Sequence, residues 1–315
     1  MSWSSPAREH QSYRHEAFLW AEPEDFTANL VPFLEDGLDA DEPMMVAVGA
    51  EHTRWLRDAL GARAETIEFV DMHELGRNPA RIIPAWQRFL DEKAADGRPV
   101  RGIGEPIWPG RRAEELLECQ LHEALLNVAV DPEVPFWLIC PYDTGQLGDA
   151  VIEEAYRSHP VLVETDRYTG SAGYAGRAHV DSLFSSDLGA PPAQVRQAHF
   201  TAADVGRLLA YTRLEFYVAG LSVTRSADLG QVVQRLAASS LHRGSTGGTV
   251  TIWTQSSGVV CEVADDLPVD DPLLGRRAPA GEDHDALWVA NQLCDLVQFR
   301  STSRGSAVRV HAWTS

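Results

Sequence analysis

Between about residues 14 and 165, short apolar runs alternate with longer stretches whose apolar residues recur at helical spacing, and this alternation constrains the fold more than any other feature of the chain. Strands separated by helices pair in parallel, because each connection must cross the sheet, so the expected architecture is α/β with a parallel sheet covered by helices on both faces. Residues 43–48 (Pro-Met-Met-Val-Ala-Val) read as the first buried strand, 51–60 as a helix stopped by Gly61, and 66–71 as the next strand. A helix over 79–95 follows, which Pro84 should kink or split. Strands at 100–107, 135–140 and 161–164 and helices at 113–128 and 146–158 complete the pattern.

The character changes at 166–195, which is rich in Gly, Ala, Ser and Pro without a sustained apolar period and reads as a linker between a domain at 10–165 and another at 196–315. The second domain shows helical patterns at 203–218, 227–241 and 286–296, a strand pair at 249–253 and 259–264, and a hairpin joining 297–300 to 307–312. Helices on one face of an antiparallel sheet give an α+β sandwich.

At 315 residues with 44% hydrophobic composition, the chain can bury a large core in about two domains. No apolar stretch approaches the ~20 residues that span a bilayer, and the N-terminus lacks the apolar core of a signal peptide, so a cytoplasmic protein without a membrane partner is expected. Residues 1–200 carry 34 acidic and 17 basic side chains, and residues 201–315 carry 12 and 10. No basic face neutralises phosphates, which argues against nucleic acid as a partner. The single lysine, Lys93, sits in a charged segment and not in a Gly-rich loop, so mechanisms that need a phosphate-binding lysine are excluded. Cys119, Cys140, Cys261 and Cys294 are far apart with no histidine at ligand spacing; they read as core thiols, and no metal site is expected.

Several marks in the first half recur in one order: His15 before Phe18-Leu-Trp20, Phe33-Leu-Glu-Asp-Gly37, Asp71, Asn78-Pro-Ala, Gly104-Glu-Pro-Ile-Trp-Pro-Gly110, Glu123 to Asn127, Cys140-Pro-Tyr142-Asp143 and His159-Pro160. Together they resemble the MEDS sensory module of methanogen, methylotroph and actinobacterial regulators, which implies a RecA-like fold converted to sensing. The residues agree with that conversion. After the 43–48 strand the chain reads Gly49-Ala-Glu-His-Thr-Arg, where one glycine cannot line a phosphate cradle and Glu51 would repel phosphate. Asp71, Glu105, Tyr142 and Asp143, with His15 and His159, are the candidate sensor residues for an unknown small-molecule signal at the C-terminal strand ends. The alternative is that Tyr142-Asp143 and His159-Pro160 only cap or turn the chain. Trp20, Trp86, Trp108 and Trp137 are expected in the core, not in an aromatic cage.

The second half carries Gln231 to Gly244, Cys261-Glu-Val-Ala-Asp265, Asp270 to Arg277 and Ala286 to Val297, and it resembles the histidine-kinase-like (GHKL, or Bergerat) ATPase domain of anti-sigma-factor kinases. The resemblance implies that Asp265 sits where adenine is recognised. It also places Arg235 and Ser239 where active members carry the Glu and Asn that prepare the nucleophile and hold Mg²⁺. Arg has no acceptor and cannot serve as a base near neutral pH. The family's Asp-x-Gly-x-Gly turn is Asp265-Asp-Leu267-Pro-Val269 here, and its second glycine element is His284-Asp285-Ala286-Leu287. Bulky residues resist the positive φ and close approach that glycine permits.

Two readings stand. The domain is a pseudo-ATPase that binds a sigma factor or an anti-anti-sigma factor by shape, with no catalytic residue and no cofactor; or Arg235 and Arg243, with Ser239 and Asp265, still hold ATP or ADP. An active protein serine or histidine kinase is the alternative function, and a homodimer stays open.

Overall fold

The computed structural model describes residues 12–164, 167–279 and 285–314. The chain forms two compact units that divide after Val180.

In the first unit the elements run Arg14–Trp20 (β1), Pro23–Asp39 (α1), Met44–Val48 (β2), Ala50–Leu60 (α2), Glu68–Asp71 (β3), Met72–Leu75 (α3), Ile82–Lys93 (α4), Val100–Gly104 (β4), Ala113–Ala129 (α5), Phe136–Asp143 (β5), Asp149–Ser158 (α6), Val161–Glu164 (β6), Arg167–Gly170 (β7) and Gly176–Phe184 (α7), the last ending in the second unit. The sheet order is β3-β2-β4-β5-β1-β6-β7, parallel throughout except for the β6–β7 pair. The architecture is the expected α/β layer, but its pivotal strand is β1, which precedes the run expected to come first. All of β1 after Arg14 is buried, and it lies between β5 and β6.

The helix expected over 79–95 is split: a 3₁₀ turn at Pro79–Arg81 precedes α4, and Pro84 falls in the first helical turn, where a missing N–H leaves no bond unmade. One other local expectation changes. The stretch read as a linker holds β7 and α7; all four β7 residues are exposed and show no apolar alternation to read.

Alternation along β1 separates two layers. Phe18 and Trp20 join Phe26, Leu30, Phe33 and Leu34 of α1 and Leu56 of α2 in one core. The other face of β1 carries His15, Ala17 and Leu19 beside Cys140 and Tyr142 of β5, and there His15 meets α5.

The second unit continues with Arg196–Phe200 (β8), Val205–Val218 (α8), Val223–His242 (α9), Gly248–Gln255 (β9), Gly258–Asp265 (β10), Ala286–Leu293 (α10), Leu296–Thr302 (β11) and Gly305–Trp313 (β12). An antiparallel sheet of order β11-β12-β10-β9-β8 packs one face on the three helices through Leu208, Phe216, Leu229, Val233, Val250, Cys261, Val297 and Val310. Ser222 caps α9 by accepting from Arg225 N. Gly275 (φ +75°) brings the 270–277 loop onto α10, where Asn291 Nδ2 donates to its carbonyl at 2.9 Å. A Cβ at that position would lie 2.5 Å from Leu287 Cβ.

Candidate functional site

Four side chains from four parts of the first unit converge beneath β1: His15 near its start, Glu123 on α5, Cys140 within β5 and His159 between α6 and β6. Each is 3% exposed or less, and their ligand atoms all lie within 4.8 Å of one another. His15 Nε2 and His159 Nε2 each stand 3.1 Å from Glu123 Oε2, and Cys140 Sγ is 3.4 Å from His15 Nε2. The two imidazoles are 4.1 Å apart at their centroids, Tyr13 stacks on His15, and Tyr142 meets His159 edge-on at 5.6 Å.

The outer nitrogens of both rings have defined partners. His159 Nδ1 donates to Ala155 O at 2.8 Å. Asn127 Nδ2 donates to Glu123 O, Ala124 O and Ser158 O, which turns its Oδ1 toward His15 Nδ1 at 3.2 Å. A carbonyl oxygen only accepts, so both rings carry a proton on Nδ1. A neutral ring then presents the Nε2 lone pair to the Glu123 carboxylate.

Burial lowers the His15 pKa, and the neighbouring His159 lowers it further. Burial alone would raise the Glu123 pKa, but the two histidines outweigh it and hold the carboxyl well below its usual range. Burial pushes the Cys140 thiol and the Tyr142 phenol up, and Glu123 adds to both shifts. A His15 ring kept neutral with Nδ1 protonated cannot donate to the Glu123 carboxylate. The ionised carboxylate calls for a positive charge among these groups. Glu123 Oε1 and His159 Nε2 make no hydrogen bond, although both are buried.

The other sensor residues lie elsewhere. Asp71 ends β3 and caps α3 by accepting from His73 N at 2.8 Å. Asp143 ends β5 and accepts from Gly145 N, Gln146 N and Gln146 Nε2. Glu105 follows β4 and accepts from His52 Nδ1 at 2.7 Å and from Gly49 N at 3.3 Å. A carboxylate of the chain thus sits at the α2 N-terminus, where a RecA-like ATPase would seat phosphate. The expected single set at the C-terminal strand ends therefore divides. Asp71, Glu105 and Asp143 are at that edge, whereas His15 begins β1 and His159 precedes β6, at the opposite ends of their strands. Tyr142 belongs with the histidines. Glu123 and Asn127 entered the sequence reading as family marks and Cys140 as a core thiol; α5 buries Glu115, Glu118 and His122 as well, so nothing in its pattern singles out Glu123. All four cysteines are buried and free.

In the second unit, Asp265 is engaged on both oxygens. Oδ1 accepts from Leu267 N at 2.8 Å and Ser306 Oγ at 3.1 Å, and Oδ2 accepts from Ser240 Oγ and, at 3.5 Å, from Arg243 Nη2. Arg243 Nη1 also donates to Ser239 Oγ at 3.1 Å. Arg235 is exposed on α9. Val269 N donates to Ser301 Oγ, and Asp285 caps α10 by accepting from Leu287 N at 3.0 Å. His284 of the second glycine element lies outside the described residues.

A parallel α/β unit with a buried polar cluster under its pivotal strand is the class that the first half defines. Residues 14–160 match the family model of MEDS, the methanogen/methylotroph, DcmR sensory domain. A search of curated proteins finds no match to the chain. Among the described residues no helix is long and apolar enough to cross a membrane. The MEDS match points to a signalling regulator.

Proposed function

We propose that this chain is a cytoplasmic regulator in which a MEDS-type sensor controls a pseudo-ATPase of the anti-sigma-factor type, and that the second unit binds a sigma factor or its antagonist without phosphorylating it. The observation that carries the reading is the closed Asp265 network. A carboxylate that accepts from Ser240, Ser306, Leu267 N and Arg243 has no lone pair directed outward for an adenine amino group. Two further features support it. The Asp285 carboxylate occupies the α10 N-terminus, which an active relative would leave for phosphate, and the Leu267 and Val269 amides are consumed within the protein. With Arg235 and Ser239 in place of a base and a metal ligand, transmission by shape is the chemistry left to this unit.

The deciding experiment is calorimetric titration of the full chain with ATP and Mg²⁺, alongside affinity co-purification from the native cell. The expected result is no saturable heat and recovery of a sigma factor or antagonist. Micromolar or tighter ATP binding that Asp265→Ala abolishes would replace the proposal with the kinase alternative, in which ATP and its metal are held by this pocket.

A further inference from the structure

We infer that His15, Glu123, Cys140 and His159 form a binding site for one divalent transition-metal ion of the zinc class. The expectation of no metal site came from sequence spacing alone, and the fold supplies what the spacing does not. The inference concerns the first unit and stands whether or not the second unit binds nucleotide.

Three observations carry it. First, the donor set of two imidazoles, a carboxylate and a thiol is the one a borderline metal such as zinc prefers. Second, the spacing fits. Bonds of ~2.0–2.3 Å in a tetrahedron place ligand atoms about 3.3–3.6 Å apart; three of the six separations here are 3.1, 3.1 and 3.4 Å and the others are at most 4.8 Å, so side-chain shifts of about an ångström would close the set on one ion. Third, the outer hydrogen bonds select the ligating tautomer. His159 Nδ1 is committed to Ala155 O and His15 Nδ1 to Asn127 Oδ1, so both Nε2 lone pairs point inward at a carboxylate with which they cannot hydrogen-bond while neutral. Metal-bound histidines are held in this way, with the distal N–H given to a carbonyl or amide oxygen. His159 Nε2, buried without a hydrogen bond, is an atom that the ion would satisfy, and Glu123 Oε1, buried and equally unpaired, is the second oxygen of the ligating carboxylate.

Binding replaces the thiol proton of Cys140 with the metal, and that proton leaves to solvent; a ring whose one proton is on Nδ1 and an ionised carboxylate have none to lose. The competing description is a cluster held by an extra proton on one histidine.

The test uses the full chain purified without chelator. It should carry about one zinc per chain by plasma mass spectrometry. The demetallated chain titrated with Co²⁺ should develop tetrahedral d–d bands and a thiolate-to-cobalt charge-transfer band that saturate together near one equivalent. Cys140→Ser should abolish the charge-transfer band and His159→Gln should weaken cobalt binding at least ~10-fold, with circular dichroism reporting whether each variant folds. Cys261→Ser, a buried thiol of the second unit, should leave both bands unchanged. If a variant does not fold, the wild-type spectrum decides alone. A wild-type chain that takes up neither metal stoichiometrically, or a charge-transfer band that persists in folded Cys140→Ser, overturns the assignment and leaves the proton-held cluster.

Discussion

Asn127 Oδ1 faces His15 Nδ1 at 3.2 Å because the Asn127 amide nitrogen is already committed to the carbonyls of Glu123, Ala124 and Ser158. One residue of α5 thereby fixes the tautomer of a histidine at the start of β1 and ties that strand to the end of α6. Asn127→Leu leaves three carbonyls and a ring N–H without this partner. It should lower stability by about 1–3 kcal/mol, read from the urea midpoint, and weaken cobalt binding by ~10-fold or more if the ring is a ligand. Unchanged stability would mean that water replaces the amide and that the tautomer is not fixed by Asn127.

The Asp265 network makes a separate prediction about stability. Asp265→Ala strands the Ser240 and Ser306 hydroxyls and the Leu267 N–H, each of which now donates to it. The loss should be about 2–4 kcal/mol, measured by denaturant unfolding of the full chain without nucleotide. A carboxylate retained only for adenine would show little cost in the same experiment, so a change below ~0.5 kcal/mol would count against its structural role.

Gly275 tests how the 270–277 loop is held. Its φ of +75° suits glycine, and a Cβ would come within 2.5 Å of Leu287 Cβ, a residue near the start of α10. Gly275→Ala should cost about 2–3 kcal/mol from strain plus overlap. Thermal unfolding should show a single lowered transition for the second unit, and proteolysis should speed up at the loop. A variant as stable as wild type would mean that the loop can lift from α10 at no cost.

How much of this was legible in the sequence depended on which residues carry periodic signals. The parallel layer was readable because β2, β4 and β5 are buried runs flanked by amphipathic helices. The pivotal strand β1 was not placed, since His15 and Glu16 break its apolar run, and its neighbours β5 and β6 lie more than a hundred residues away. The cluster had no sequence signature for the same reason: His15, Glu123, Cys140 and His159 sit on different elements, and no pair has ligand spacing. In the second unit the residues at 235, 239, 267 and 269 were visible as identities. That Asp265 and Asp285 turn inward to serve the chain itself required coordinates.

His311 supplies the pH dependence. Burial, aided by Arg309, brings its pKa down to about 3 from the ordinary 6.5, while Nε2 faces Gln298 Oε1 at 3.0 Å. Between those two values the unfolded chain binds a proton that the folded chain refuses. The stabilising contribution is therefore fully present above the unfolded pKa and is lost as pH falls toward the folded one. The expected loss from this residue is up to about 3 kcal/mol between about pH 7 and about pH 4. Other histidines and carboxylates titrate over the same range, so the informative quantity is the difference between wild type and His311→Gln. Glutamine keeps a polar group opposite Gln298 but does not ionise, and the variant should lose less stability on acidification even if it starts lower. Parallel acid profiles for the two proteins would show that His311 is protonated as readily in the fold as outside it.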